Sequence, residues 1–319
     1  MLALWHQRPW CRVYGTQVRI YVPWDPKKKL VPRAVSYNIR LLVPCSDKKG
    51  LIAAISSFIA MHDGNILSAD PVRERGGERH VFMCLEVEGE GFRLEREEFG
   101  PPFAPLARQH DIVWRVSYTD TPKTVAILVS RHDHCLIDLL RRWDARELDA
   151  RVPLIVSNHP DLASRTEIYD IRFHHLPVAQ KNKAAQETQM LDLLHEHEVD
   201  LVVLARYMQI LTPNVVNAYP DRIINIHHSF LPAFVGSDPY RRAYDRGVKT
   251  IGATAHYVTE ELDAGPVIHQ DTAHVTQRDT VEDLVRTGRE IERRVLARAV
   301  CWHLEERVLV DGNRTVVFE

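Results

Sequence analysis

The sequence predicts an α/β protein with a small βαββαβ domain, followed by a larger doubly wound domain built on a mostly parallel sheet. Three observations lead to this prediction. The chain has 319 residues, which is enough for two domains. Apolar strands and amphipathic helices alternate along most of it. Hydrophobic residues make up 45% and charged residues 26% of the chain, which is typical of globular proteins.

Charge and cysteine content exclude several classes of protein. Lys and Arg number 41 against 43 Asp and Glu, so no positive excess favours nucleic acid or an anionic membrane surface. The apolar runs are too short to cross a bilayer. Five cysteines without a CxxC pair indicate reduced thiols rather than a disulfide framework or a cysteine zinc site. We therefore expect a cytoplasmic protein that binds neither nucleic acid nor membrane.

Residues 1–35 are expected to form a poorly ordered extension. They show no clear hydrophobic period and contain three tryptophans and the run Lys27-Lys28-Lys29. Polar residues after the start interrupt the continuous apolar core that a secretory signal needs.

Residues 36–120 show the pattern of the small domain. The predicted order is strand 37–43, helix 51–59, a strand from 66, a hairpin turn at 75–78, strand 80–87, helix 93–110 and strand 112–118. The Gly-Pro-Pro sequence at 100–102 is expected to interrupt the second helix.

Residues 121–319 show the pattern of the larger domain. Fully apolar strands are typical of a parallel sheet covered on both faces, and ligands of such sheets bind beyond the carboxyl ends of the strands. The predicted strands are 124–129, 152–157, 172–176, 200–205 and 222–226, the predicted helices are 135–143, 183–197 and 280–305, and a hairpin covers 308–317.

One set of polar residues in this domain suits carbonyl chemistry. Asn225 and His227 lie two positions apart on an extended segment, so their side chains share one side of the strand. The Asn amide can donate to a developing oxyanion, the His can move a proton, and the distant Asp263 can orient the imidazole. Strand alternation turns the rival base, His228, to the opposite side. His256 is a supporting candidate, and the spacing matches no standard metal-ligand pattern, so no metal is expected.

Three motifs in order resemble the formyltransferase family that uses 10-formyltetrahydrofolate. They are Asn-x-His-x-Ser-x-Leu-Pro from Asn225, the segment 252–258, and Leu-Asp-x-Gly-Pro from Leu262. The resemblance implies that Asn225, His227 and Asp263 are the catalytic residues, and that 10-formyltetrahydrofolate is the substrate with no other cofactor. It also implies a pterin pocket lined by Arg206, Tyr207, Met208, Gln209, Ile210 and Leu211.

The small domain resembles ACT domains. Asp47, Gly50 and Leu51 lie at a strand-to-helix turn, before an amphipathic helix and a Gly64-x-Ile66 sequence. Gly50 allows close backbone approach, and the N–H groups of a helix start can bind a carboxylate. The resemblance implies an amino-acid effector and a homo-oligomer. The alternative is an oligomerisation module whose site stays empty.

The loop after the first strand of the larger domain bears on the formyl acceptor. Members that transfer to a phosphorylated amine have a Gly- and Ser-rich loop there, whereas Ser130–Cys135 contains no glycine and includes Asp133. We therefore expect water as the acceptor, giving formate and tetrahydrofolate and a link to purine biosynthesis. The alternatives are transfer to an unphosphorylated amine, and a non-catalytic ACT-type sensor. Asp238 departs from the Lys or Asn expected there.

Overall fold

A computed structural model describes residues 12–13, 16–17, 37–46, 48–73, 80–179, 182–231 and 239–318. The contacts divide the chain into two units, 1–35 and 36–319. In the first, Arg12–Val13 and Thr16–Gln17 form a short antiparallel pair, and the expected extension otherwise lies outside the described residues. No helix within the described ranges is both long and apolar enough to cross a bilayer.

The small sheet has the predicted βαββαβ order. Its strands are antiparallel in the spatial order β2-β3-β1-β4, the ferredoxin-like arrangement, and its helices pack on one face. The elements are β1 (Asn38–Ser46), α1 (Leu51–Met61), β2 (Ile66–Arg73), β3 (His80–Glu88), α2 (Gly100–His110) and β4 (Arg115–Tyr118). The turn predicted at 75–78 lies outside the described residues.

The second helix of the small sheet differs from the prediction. Gly-Pro-Pro at 100–102 begins α2 instead of interrupting it, and Arg96–Glu98 form a separate 3₁₀ turn before it. Proline suits the first turn of a helix, since its missing N–H has no partner within the helix there. The following strand starts at Arg115 rather than at residue 112.

The larger sheet is mostly parallel, as predicted. Its order is β11-β10-β9-β8-β5-β6-β7, in which the last five strands run parallel and β10 and β11 are antiparallel. The strands are β5 (Lys123–Val129), β6 (Ala150–Ser157), β7 (Arg172–His175), β8 (Leu201–Leu204), β9 (Ile223–His227), β10 (Thr250–Tyr257) and β11 (Val267–His274).

Helices cover both faces of this sheet. They are α3 (His134–Asp144), α4 (Ala163–Thr166), α5 (Lys183–Glu196), α6 (Pro213–Ala218), α7 (Pro239–Asp245) and α8 (Val281–Leu304), with a 3₁₀ turn at Glu167–Tyr169. The face that packs on α3, α7 and α8 is called the α8 face, and the face that packs on α5 and α6 is called the α5 face. Along β5, Ile127 packs on the α8 face and Leu128 on the α5 face, which is the two-sided burial expected of a parallel strand.

The sequence pattern predicted neither β10 nor β11 as a strand. In β11 polar side chains dominate the sequence HQDTAH, because this edge strand is largely exposed, so hydrophobic alternation is weak. The short helices α6 and α7 were also not predicted. Helices of six and seven residues give too few turns for a clear apolar period.

The end of the chain packs on the small sheet. The predicted hairpin forms β12 (Val308–Asp311) and β13 (Arg314–Val317), and its Leu309, with the adjoining Phe318, contacts the sheet face opposite the helices, at Leu42 and Phe82. Glu306 accepts an ion pair from Arg115 of β4 at 2.7 Å. The boundaries 36–120 and 121–319 remain predictions, but the two sheets share an interface.

Candidate active site

Asn225 and His227 lie at the carboxyl end of β9. Ile224 and Ile226 pack on the α8 face, while Ile223 packs on the α5 face. Since strand side chains alternate, Asn225 and His227 share the α5 side with Ile223. The predicted orientation of these two side chains therefore agrees with the register of the strand.

The antiparallel strand β10 brings a second histidine to this pair. Asn225 lies opposite His256 in the ladder, and the amide Nδ2 of Asn225 is 3.2 Å from Nε2 of His256. The other ring nitrogen of His256, Nδ1, is 2.8 Å from the carbonyl oxygen of Tyr257, to which it can donate. Nε2 is then left to accept from the Asn225 amide, which fixes the amide orientation.

Asp263 joins the two imidazoles. Its Oδ2 is 3.3 Å from Nδ1 of His227, and its Oδ1 is 3.6 Å from Nε2 of His256. Hydrogen bonding by His227, and then by His256, holds the pKa of the Asp263 carboxyl well below its usual range. The carboxylate is therefore ionised at neutral pH. The structure brings all three predicted catalytic residues together, with His256 in the supporting position expected for it.

The backbone around Asp263 explains the glycine of its motif. Asp263 has a left-handed φ of 54°, and Tyr257 N donates to Pro266 O at 2.9 Å, so the loop folds back on the end of β10. A Cβ on Gly265 would overlap the carbonyl oxygen of Tyr257. Only glycine gives the loop this close approach, and the approach places Asp263 beside His227.

His228 lies toward the α8 face. Its ring stacks on that of His227 at a centroid distance of 5.3 Å and lies 6.4 Å from the ring of Tyr240. Burial, together with the positive charge of Arg206, lowers the pKa of His228 to about 4. A neutral, buried imidazole on this side supports the choice of His227 as the group that faces substrate.

The predicted pterin segment follows β8 and divides by burial. Tyr207 is buried on the α5 face, where its hydroxyl accepts from Nε2 of Gln186 at 3.1 Å. Met208 and Ile210 are 57% and 60% exposed. Leu211 is buried below them, and Gln209 donates to the carbonyl of Met208. The segment thus offers apolar side chains and backbone groups to a flat ring.

The side chain of Arg206 has a different environment from the rest of that segment. It is nine-tenths buried, and its Nη1 is 3.5 Å from Oε2 of Glu292 on α8. Glu292 is 1% exposed and also accepts from Tyr240 at 2.6 Å and pairs with Nε2 of His134 at 2.8 Å. We call Arg206, Glu292, His134 and Tyr240 the buried polar network.

Glu292 was missed by the sequence reasoning, although its position carries a signal. It falls within the apolar stripe of α8, between Gly288 and Val295 at helical spacing. Burial alone would raise the pKa of its carboxyl, but His134 and Arg206 hold the pKa at about 2. A carboxylate in a buried helix stripe indicates a charged partner in the fold.

The ligand atoms of His134, Cys135 and Glu292 lie within 4.8 Å of one another, close enough to hold a metal ion. Other contacts disfavour one. The guanidinium of Arg206 lies against Glu292, and burial raises the pKa of the Cys135 thiol. A positive neighbour and a protonated thiol both oppose cation binding.

The effector residues predicted in the small domain are only partly described. Gly50 has a left-handed φ of 85° and open space where a Cβ would lie, at the start of α1. Leu51 is buried in the core of the small domain, so its side chain is not available to a ligand. Asp47 and Asp238 lie outside the described residues.

Comparisons with known proteins agree with this geometry. The Formyl transferase family matches residues 123–300. Formyltetrahydrofolate deformylase of Synechocystis sp. is 50% identical over 279 residues, covering 87% of this chain and 97% of the relative. The crystal structure of a formyltetrahydrofolate deformylase from Pseudomonas syringae pv. tomato is 44% identical with a TM-score of 0.86, over 90% of this chain and 96% of that one.

A more distant solved structure covers only part of the chain. Glycinamide ribonucleotide transformylase 1 from Symbiobacterium toebii is 30% identical with a TM-score of 0.58, over 62% of this chain and 95% of that one. The chain therefore belongs to the formyl transferase family. Within that family it groups with the formyltetrahydrofolate deformylases, which it matches over most of its length.

Substituting Gly265 with Ala should destabilise the fold by about 1–3 kcal/mol, because the new Cβ must push the Asp263 loop off Tyr257. Urea unfolding of Gly265→Ala measures this. Gly100→Ala is the matched control, since its Cβ would meet only Trp114 at 3.5 Å. Equal losses in the two variants would contradict the steric argument.

His228 should make stability fall as the medium turns acidic. Below pH 6.5 the unfolded chain binds a proton at this histidine, while the folded protein binds it only near pH 4. Relative to His228→Gln, the wild type should therefore lose about 2 kcal/mol of unfolding free energy between pH 7 and pH 5. Chemical unfolding at a series of pH values tests this, and parallel stability curves for the two proteins would refute it.

Proposed function

We propose that this protein hydrolyses 10-formyltetrahydrofolate to formate and tetrahydrofolate. The observation that carries the proposal is the coupling of Asn225, His227 and Asp263 at the carboxyl end of β9, within 3.3 Å for the His–Asp pair. The apolar and backbone surface of Met208–Leu211 follows the adjacent strand β8. A carbonyl site beside a surface for a flat heterocycle suits a formyl-carrying folate.

Each catalytic side chain has a role set by its contacts. One hydrogen of the Asn225 amide points to His256, and the second can donate to the formyl oxygen. The His227 imidazolium also stabilises that oxygen, and the Asp263 carboxylate keeps the ring oriented and positions the attacking water.

The reaction balances with water as its second reactant. The water oxygen bonds to the formyl carbon and gives a tetrahedral intermediate with a negative oxygen. The bond from carbon to N10 then breaks, and N10 takes a proton by way of His227. Tetrahydrofolate leaves, and the formyl group leaves as formate after losing its remaining acidic proton to solvent.

Two observations favour water over an amine as the acceptor. The loop after β5 presents His132, Asp133 and His134 instead of a glycine-rich cradle, and Asp133 is already paired with Arg165. The relatives that match nearly the whole chain are named deformylases. A phosphate finds no backbone cradle in such a loop. Formate and free tetrahydrofolate would link the reaction to purine biosynthesis.

The first assay mixes the purified protein with 10-formyltetrahydrofolate alone and quantifies formate and tetrahydrofolate. We expect the two products in equal amounts. Asn225→Ala should lower the turnover about 100- to 1000-fold, the usual cost of losing one oxyanion donor. Asn217→Ala, which removes an exposed amide bonded to Glu260, is the control. Near wild-type turnover in Asn225→Ala would overturn the assignment of this residue.

We further propose that the small domain is an ACT-type module that binds an amino acid and joins copies of the chain. Support comes from the ferredoxin-like strand order, the open left-handed turn at Gly50, and the exposed edge strand β2. We place the protein in the cytoplasm, because Cys84, Cys135 and Cys301 carry free thiols, which suit a reducing compartment.

The effector proposal predicts that an amino acid binds at the start of α1 and changes the turnover. Calorimetry with single amino acids measures binding, and Gly50→Val should abolish it, because a branched side chain is strained at a φ of 85° and fills the open space. Gly312→Val carries a similar strain in the terminal hairpin and is the control. No binding by any amino acid to the wild type would refute the proposal.

A further inference from the structure

The buried polar network lies on the side of the site away from the folate surface. Asn225 and His227 project toward the α5 face, and Tyr207 of the pterin segment is buried on that same face. Arg206 and Glu292 meet on the α8 face, where His228 also lies. His227 and its stacked neighbour His228 therefore separate the folate side from the network side.

Four elements contribute to this network, so little of its volume is open. His134 comes from the start of α3, Tyr240 from α7, and Glu292 from α8, and all three are at least nine-tenths buried or in mutual hydrogen bonds. Arg206 fills the remaining side. Its carbonyl accepts from Ser130 N at 3.1 Å, which ties the backbone of Arg206 to the end of β5.

Arg206 is held in an unfavourable state, which argues that its position has a purpose beyond packing. Its φ is 64°, in the left-handed region that suits glycine. Two buried donors, Nε and Nη1, find no hydrogen-bond acceptor among the described residues, although Nη1 lies 3.5 Å from Glu292. Such strain and incomplete satisfaction cluster at functional sites.

We infer that the buried pair of Arg206 and Glu292 selects water as the acceptor by occupying the space that an amine would need. An acceptor larger than water must lie beside the formyl carbon on the side that the folate leaves open. The guanidinium fills that side, and only a small molecule can approach the carbon. This inference rests on the proposed hydrolysis and assigns its acceptor specificity to a residue outside the catalytic trio.

Removal of the guanidinium should admit a small amine. The amine nitrogen then bonds to the formyl carbon, the bond from carbon to N10 breaks, and a proton lost by the amine ends on N10. The products are the N-formyl amine and tetrahydrofolate, so no oxidant or further reactant is needed. Glu292 keeps His134 and Tyr240 as partners in such a variant.

The experiment measures how the formyl group divides between water and glycinamide. Wild type, Arg206→Gly and Arg206→Lys are each mixed with 10-formyltetrahydrofolate and excess glycinamide, and formate and formylglycinamide are quantified. Arg146→Gly is the matched control, because Arg146 is exposed, lies at the end of α3 and has a similar φ of 59°. Melting curves establish that each variant is folded.

We expect the ratio of formylglycinamide to formate to rise at least about tenfold in Arg206→Gly, the effect of about 1.4 kcal/mol between the two transition states. Arg206→Lys and Arg146→Gly should keep the wild-type ratio. A purely structural role of Arg206 would lower both products together and leave the ratio unchanged, and that result would overturn the inference.

A second measurement needs no variant. Excess glycinamide should leave the formate yield of the wild type unchanged, and formylglycinamide produced in proportion to the amine would also overturn the inference. Failure of the proposed function looks different, since the wild type would then release no formate from 10-formyltetrahydrofolate alone.

Discussion

The arrangement of the site depends on one carboxylate shared by two imidazoles. Asp263 reaches both His227 on β9 and His256 on β10, and this requires the two strands to be neighbours. The antiparallel direction of β10 matters because it returns the chain to the carboxyl end of β9, where the Asp263 loop follows. Gly265 then lets that loop fold against the strand. A parallel sixth strand would place its following loop after a further crossover, so the antiparallel edge is part of the catalytic geometry.

The elements that the sequence pattern predicted well are those buried on both sides. The parallel strands β5, β6 and β8 are almost continuously apolar, and α8 carries a long apolar stripe that begins at a capping box of Thr280 and Asp283. β10 contains apolar residues but its pattern was read only as a motif, and β11 is polar because it forms an exposed edge. Hydrophobic period reports burial, and it fails where a strand is paired but not covered.

The candidate site divides in the same way between what is local and what is not. Asn225 and His227 could be oriented from the sequence because strand alternation is a local rule. Their approach to Asp263 was expected from the family resemblance, and the structure supplies the distances. The contact of Arg206 with Glu292 joins a loop to a distant helix, and no spacing rule connects them. Arg206 was therefore placed with the pterin segment by its neighbours in sequence, whereas its side chain belongs to the opposite face of the sheet.

The packing of the terminal hairpin on the small sheet has a consequence for synthesis of the chain. Leu42 and Phe82 are covered by Leu309 and Phe318, which are among the last residues to be translated. The small sheet can close over its own helices as soon as it leaves the ribosome, but its other face stays wet until the end of the chain arrives. An apolar face exposed for that interval is a target for chaperones and for association between nascent chains.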